Sequence, residues 1–122
     1  MKKQKVKWLD NPEDHDYPAA ISYLSLIFTE VEATRIASNL KKASIKKFKA
    51  KDIFRASKLS LLGISNSHVT KNIKKIKLGN KMSPLLLVRE TINGNVIIAD
   101  GYHRMCAVYH FNEDELIPCK IV

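Results

Sequence analysis

The sequence predicts an α+β domain, and three observations carry that expectation. Asn95-Val96-Ile97-Ile98-Ala99-Asp100-Gly101-Tyr102-His103-Arg104 reads as a buried strand that ends in Asp-Gly and turns directly into a helix. Its β-branched run suits a strand with both faces covered. Asn93-Gly94 lies between the apolar runs Leu85-Leu86-Leu87-Val88 and Val96-Ile97-Ile98, which is a strong hairpin signal. Helical periodicity fills much of the remainder, over 18–40 and again over 68–78.

At 122 residues, 45% of them hydrophobic, the chain has the size and apolar content for one domain with one core, spanning 1–122. Within it, 1–43 reads as an N-terminal helical extension and 45–122 as the core. No apolar run is long enough to cross a bilayer, which argues against a membrane partner. The start, Met1-Lys2-Lys3-Gln4-Lys5-Val6-Lys7, is basic and lacks the apolar segment of a signal peptide, so a cytoplasmic protein is expected. Cys106 and Cys119 sit among apolar neighbours without Cys-x-x-Cys spacing, as buried free thiols do; sequence leaves a pairing between them open, although a reducing compartment disfavours it. The net charge of +9 favours anionic partners: a nucleotide, a nucleic acid or an acidic surface.

The elements follow in order. Residues 10–17 form an acidic loop in which Asn11-Pro12 starts a turn. His15 between Asp14 and Asp16 offers ligand atom types without metal-site spacing. Pro18 suits a first helical position, and the helix it opens is strongly apolar through Phe28. Thr29 and Glu32 match a capping box for a second helix with Val31, Ala33, Ile36, Ala37 and Leu40 on its apolar stripe and Lys41-Lys42 at its end. Alternation over 45–53, with Phe48 and Ala50 against Lys47, Lys49 and Lys51, reads as an edge strand with one wet face. Residues 52–57 either continue that strand or form a helical turn. Ser65 or Asn66 caps the next helix, whose buried stripe is Val69, Ile73, Ile76 and Leu78, with Thr70, Lys74 and Lys77 on another face. Pro84 opens the first strand of the hairpin. The last helix runs to His110, and 117–122 is a terminal strand in which Pro118 suits a sheet edge.

Chemistry concentrates at the turn. Asp100 is a preferred N-cap type, and Gly101 permits a sharp turn and close approach of a ligand. Helix starts attract anions through free N–H groups and the dipole. His103 and Arg104 occupy the first turn, where acidic side chains would stabilise. An external anion, most simply a nucleotide phosphate, explains two basic side chains there. The opposite outcome is that Arg104 is tied up by the protein's own acids.

From Pro84 to Val122 the chain resembles the ParB/sulfiredoxin superfamily. The resemblance rests on Pro84-Leu85-Leu86-Leu87-Val88, then Ile97-Ile98-Ala99-Asp100-Gly101-Tyr102-His103-Arg104, then Ala107, then Ile117-Pro118-Cys119-Lys120-Ile121-Val122, and extends more loosely back to Ile45. It implies a mixed sheet, a partly open barrel, with flanking helices. It also implies phosphate binding at the Asp100–Arg104 turn by Gly101, Tyr102, His103 and Arg104, with hydroxyl and lysine contacts from Thr70, Lys71 and Lys74 on the preceding helix. Sulfiredoxins carry a cysteine where this chain has Tyr102, so thiol repair is excluded. Asp100-Gly101-Tyr102-His103-Arg104 is closer to the turn of the free-serine kinases. The ParB partition proteins add a helix-turn-helix domain, which is not expected within these 122 residues.

Two functions follow. In the first, the chain binds ATP, ADP or CTP, with or without Mg²⁺, or another small phosphorylated ligand, and is a phosphotransferase or hydrolase. Asp100 and His103 are its catalytic candidates. Asp100 would activate a hydroxyl or hold Mg²⁺, and Asp16, Asp52 and Glu90 are candidates for a second acid. In the second, lysines 46, 47, 49, 51, 71, 74, 75, 77 and 81 make a nucleic-acid-binding module or nuclease, although exposed aromatics for base stacking are few. A relative with no reaction, holding an anion or a protein partner, is a third outcome.

Overall fold

The computed structural model describes residues 5–122; the first part of the basic start, residues 1–4, lies outside the described residues. Among the described residues the order is β1 (Lys7–Trp8), α1 (Asp16–Leu24), α2 (Glu30–Lys42), β2 (Lys46–Lys49), α3 (Ala50–Ser57), α4 (Ser67–Lys77), β3 (Lys81–Met82), β4 (Leu85–Glu90), β5 (Asn95–Asp100), α5 (Tyr102–Phe111) and β6 (Leu116–Ile121). β2, β6, β4 and β5 form a four-stranded sheet in that order, and β1 pairs with β3 separately. The larger sheet is mixed: β4 runs parallel to β6 and antiparallel to β5, and β2 is antiparallel to β6. The α+β class stands as predicted. The sheet is open, with β2 and β5 at its edges, rather than closed into a barrel.

β4 explains the layering. Leu85, Leu86, Leu87 and Val88 are all buried, because successive side chains enter opposite cores. Leu85 and Leu87 join Ile98, Ile53 of α3, Val69 and Ile76 of α4, and Met105 to Val108 of α5. Leu86 and Val88 join Ile97 and Ala99, Ala20 and Leu24 of α1, and Ala33 and Leu40 of α2. The segment read as an N-terminal extension therefore covers one sheet face. Each fully buried leucine contributes about 2 kcal/mol, so the consecutive leucines of β4 anchor both layers.

Several boundaries differ from the sequence reading. α1 starts at Asp16, with Pro18 inside its first turn, where a missing N–H costs little. It stops at Leu24, and Ser25 Oγ donates to Ile21 O at 2.7 Å as the chain turns, leaving Leu26 and Ile27 exposed. Thr29 caps α2 as predicted, accepting the Glu32 N–H at 3.2 Å, while the Glu32 carboxylate pairs with Arg35. Val31 is exposed, about 200° round the helix from Ala33. Ala50 is not in the edge strand; it opens α3, which resolves 52–57 as helix, with Ala50, Ile53 and Ser57 buried on one face. Leu78 is exposed, because α4 ends at Lys77 and Gly79 turns the chain at φ +74°.

β6 is an inner strand, which corrects the edge placement of Pro118. That residue stands opposite Lys47, one position before the parallel ladder with β4 begins at Cys119. Cys106 and Cys119 are free and buried. Lys120 is only 6% exposed, and its Nζ donates to Lys41 O at 2.7 Å, a cation at the C-terminal end of α2. No helix of the described residues is long and apolar enough to cross a membrane.

Candidate functional site

The site begins with a register shift. In the β4–β5 ladder Leu87 faces Ile98 but Leu86 faces Asp100, so Ala99 is an extra residue on β5. Such a bulge re-aims the residue beside it. Opposite Leu86, Asp100 belongs to the α1 side of the sheet. Without the extra residue, simple alternation would assign it to the other face.

Gly101 follows at φ +107°, and a Cβ there would lie 2.7 Å from Leu85 Cγ and 3.0 Å from Arg104 Nη2. Both the backbone angle and the close packing demand glycine. Gly101 is the N-cap of α5 and supplies no side-chain cap. Asp100 is therefore not the cap, contrary to the sequence reading, because its carboxylate reaches forward to Arg104. The first intrahelical bond runs from Met105 N–H to Gly101 O at 2.9 Å, which leaves the amides of Tyr102, His103 and Arg104 without an intrahelical acceptor.

Arg104 is held. Its Nη2 donates to Asp100 Oδ2 at 2.9 Å and to Pro84 O at 3.2 Å, and lies 3.9 Å from Asp16 Oδ2. Its Nε is buried without a partner. Asp16, 3% exposed, accepts the Ser83 hydroxyl and the Glu13 N–H on Oδ2, while His15 Nε2 lies 3.3 Å from Oδ1. Two acids thus flank one guanidinium. Burial raises the Asp100 carboxyl above its ordinary range, and the nearby Arg104 charge offsets only part of that.

These groups line a cleft of about 310 Å³ between residues 13–16, α4, the β3–β4 junction and the start of α5. Carboxylates of Glu13, Asp16 and Asp100 share it with the ammonium groups of Lys71, Lys75 and Lys81. The rings of His68 and His103 lie 4.9 Å apart at 45°, and Tyr102 is 5.6 Å from His103. Burial first, and His68 second, hold the His103 imidazole below the ordinary histidine range, so it is neutral at pH 7. The Tyr102 hydroxyl donates to Ser60 O, which anchors the 59–66 loop.

Of the residues predicted from sequence, Asp100, Gly101, Tyr102, His103, Arg104 and Lys71 line the cleft. Thr70 and Lys74 do not: Thr70 Oγ1 donates to Asn66 O at 3.1 Å, and Lys74 is on the exposed side of α4. The helix instead presents His68, Lys71, Asn72 and Lys75, a stripe with spacings of three and four that the sequence contains but that the reading turned by one residue. Asp16 is the one candidate second acid in the cleft. Asp52 pairs with Arg55 at 3.0 Å, and Glu90 accepts the Asn93 N–H of the hairpin. Ser83 carried no sequence signal, and Lys81 was read only among the lysines of the nucleic-acid alternative, not as part of this cleft.

A bare divalent cation has no ready cage here. Among the described residues no group of three or more histidine, cysteine, aspartate or glutamate side chains is gathered for a metal, and Asp100 is already bound to Arg104. A larger depression of about 580 Å³ beside β2 and β6 includes Trp8, Lys47 and Glu115 but has no helix start opening into it. Compared with family models, with curated proteins and with solved structures, the chain matches none.

Proposed function

We propose that this cleft binds the phosphates of a nucleotide (ATP, ADP or CTP) or of another small phosphorylated ligand and serves phosphoryl transfer or hydrolysis. The observation that carries the reading is the uncapped start of α5, which opens into a cleft shared by Lys71, Lys75 and Lys81. Phosphoryl transfer asks mainly for positioning and for neutralisation of charge on oxygen, and these groups supply both. Gly101 lets an oxygen approach the backbone, and the amides of 102–104 donate to it. The three lysines neutralise. Arg104 contributes from a fixed position, because Nη2 is already engaged by Asp100 and Pro84.

The acidic wall supports the reaction class. Asp100 would take the proton of an acceptor hydroxyl or of water, and its raised pKa brings it closer to working pH. Asp16 would hold Arg104 from the other side. His103, neutral, would donate a hydrogen bond to a phosphate oxygen. Mg²⁺ would enter as part of the nucleotide complex, keeping several of its waters. The ParB/sulfiredoxin resemblance belongs to the same proposal, supported by a glycine turn joining a buried strand to a helix. A cytoplasmic location agrees with such a ligand.

A nucleic-acid ligand draws on a different observation, the exposed Lys46, Lys47 and Lys49 along the free edge of β2. That edge lies outside the cleft.

The test is calorimetric titration of ATP, ADP and CTP, with and without Mg²⁺, against wild type, Lys71→Ala/Lys75→Ala and Lys74→Ala. Exposed lysine contacts are worth up to about 1 kcal/mol each, so the double variant should bind about tenfold more weakly and Lys74→Ala should match wild type. Absence of binding by wild type to all three nucleotides rejects the proposal. Tighter binding of a DNA or RNA oligomer, falling steeply with salt, would favour the nucleic-acid reading instead.

A further inference from the structure

We propose that His68 and His103 act as a pair that makes anion binding in this cleft proton-linked, so that affinity rises as the pH falls through the range in which the pair titrates. The proposal rests on the phosphate-binding reading and adds its regulation.

The pair is a product of packing between two helices. His68 is the second residue of α4 and His103 the second residue of α5, and their rings meet 4.9 Å apart at the cleft. Each imidazole sits at the positive end of a helix dipole, where a cation is disfavoured. Two imidazolium ions at this separation would also repel each other. The surrounding charges nearly balance. Lys71 and Lys75 come from α4, Lys81 from β3 and Arg104 from α5. Against them stand Glu13 and Asp16 from residues 13–16 and Asp100 from β5, with His15 beside Asp16. Asp100 and Asp16 are engaged with Arg104 and Ser83, which leaves little negative potential to hold a proton on the pair. The empty cleft therefore favours a neutral His103 ring, in line with its depressed titration.

A bound dianion reverses the balance. It screens the repulsion between the rings, opposes both helix ends and offers acceptor oxygens to ring N–H groups, so the pair takes up a proton. Linkage is reciprocal: if the anion tightens the proton, the proton tightens the anion. Between the titration range of the empty pair and the higher range of the occupied pair, the complex holds more protons than the free protein. Affinity there increases with falling pH, by about tenfold per pH unit for one fully linked proton. Below both ranges and above both ranges it is flat. A phosphate ligand that itself protonates near neutrality would lose charge over the same interval, which works in the opposite direction.

Sulfate is the probe, because it stays dianionic between about pH 5 and 8, the histidine range. Its affinity is measured across that interval for wild type, His68→Gln, His103→Gln and His15→Gln, with histidine ring resonances followed by NMR. His110, whose Nε2 contacts Leu62 O away from the cleft, is the internal reference. The expected result for wild type is tightening by about tenfold per pH unit as pH falls, with sulfate moving the His68 or His103 titration upward and leaving His110 in place. In sulfate-free protein, His68→Gln should raise the His103 titration by removing its neighbour. His103→Gln should flatten the affinity profile, and His15→Gln should keep it steep. Sulfate binding that is flat with pH, or a steep profile that survives His103→Gln and disappears in His15→Gln, overturns the proposal and leaves the phosphate site standing. Failure of sulfate and nucleotides to bind at any pH overturns the site itself and the proposal with it.

Discussion

Arg104 Nη2 and Asp100 Oδ2 are 2.9 Å apart, one helical turn from each other in sequence and on opposite sides of the Gly101 turn. The contact ties the end of β5 to the start of α5 and commits part of the guanidinium that the sequence offers to a ligand. Asp16, on a different helix, stands 3.9 Å from the same nitrogen. Arg104 is thus a structural counter-ion, and in the proposed site it would reach an anion only through N–H groups other than those of Nη2.

Replacing Arg104 by alanine should therefore cost stability. The side chain is 18% exposed and two carboxylates would lose their partner, so a loss of about 2–3 kcal/mol is expected at neutral pH. The pH dependence has a definite sign. The folded Asp100 carboxyl binds its proton more tightly than the unfolded chain does, and its stabilising contribution is complete in acid and lost as pH rises through the raised folded value. Without Arg104 that value climbs further. Urea unfolding of both proteins at about pH 7.5 and 5 should find the deficit smaller in acid; equal deficits at both would refute this account.

Gly101→Ala should be among the most damaging small changes in the chain. The new methyl needs φ +107° and meets Leu85 Cγ at 2.7 Å, and Leu85 is fully buried. Strain of this kind costs about 2 kcal/mol, and a domain of this size should lose roughly 7 °C in thermal midpoint. A scanning calorimeter reads it directly, and an unchanged midpoint would mean that the turn relaxes freely.

Asn66→Ala removes the side-chain oxygen that accepts the amides of His68 at 3.0 Å and Val69 at 3.2 Å. Loss of such a cap costs about 1 kcal/mol, whereas Asn66→Gly should cost only a few tenths. Because α4 carries His68, Lys71 and Lys75, fraying of its first turn should also broaden the His68 ring resonance in the alanine variant. Equal unfolding midpoints for the two variants would rule out a capping role.

Neither cysteine should react in the folded protein. Burial pushes the Cys119 thiol up to about 12, and it raises Cys106 as well. Iodoacetamide at pH 7.5 should modify both residues only after denaturant is added, at the rate of unfolding. Mass spectrometry of briefly exposed native protein checks this, and a singly alkylated native species would contradict it.

The turn itself was readable because its determinants are local. A β-branched run, a glycine and a helix-forming segment follow one another, and each has a preferred backbone state. The hairpin at Asn93-Gly94, the Thr29 cap and the lysine-rich edge at β2 were legible for the same reason. What was not legible depends on register. Nothing in the residue order marks Ala99 as an extra residue on β5, yet that shift decides which face Asp100 joins. The same limit applies to α4, where a rotation of one residue, about 100°, exchanges Thr70 and Lys74 for His68, Asn72 and Lys75. Asp16 was read as part of an acidic loop and as one of three candidate second acids, and only the return of β3 beside β1 brings Ser83 across to bury it.

That return has a practical side. β1 is two residues long, yet Lys7 and Trp8 register with Lys81 and Met82, and Leu9 N–H donates to Met82 O at 2.8 Å. The next residue along is Ser83, whose hydroxyl secures Asp16. Trimming the chain to begin after Leu9 would unzip this seam and release the acidic wall from a distance. Loss of ligand affinity in such a shortened protein would then report a missing brace, not a missing contact.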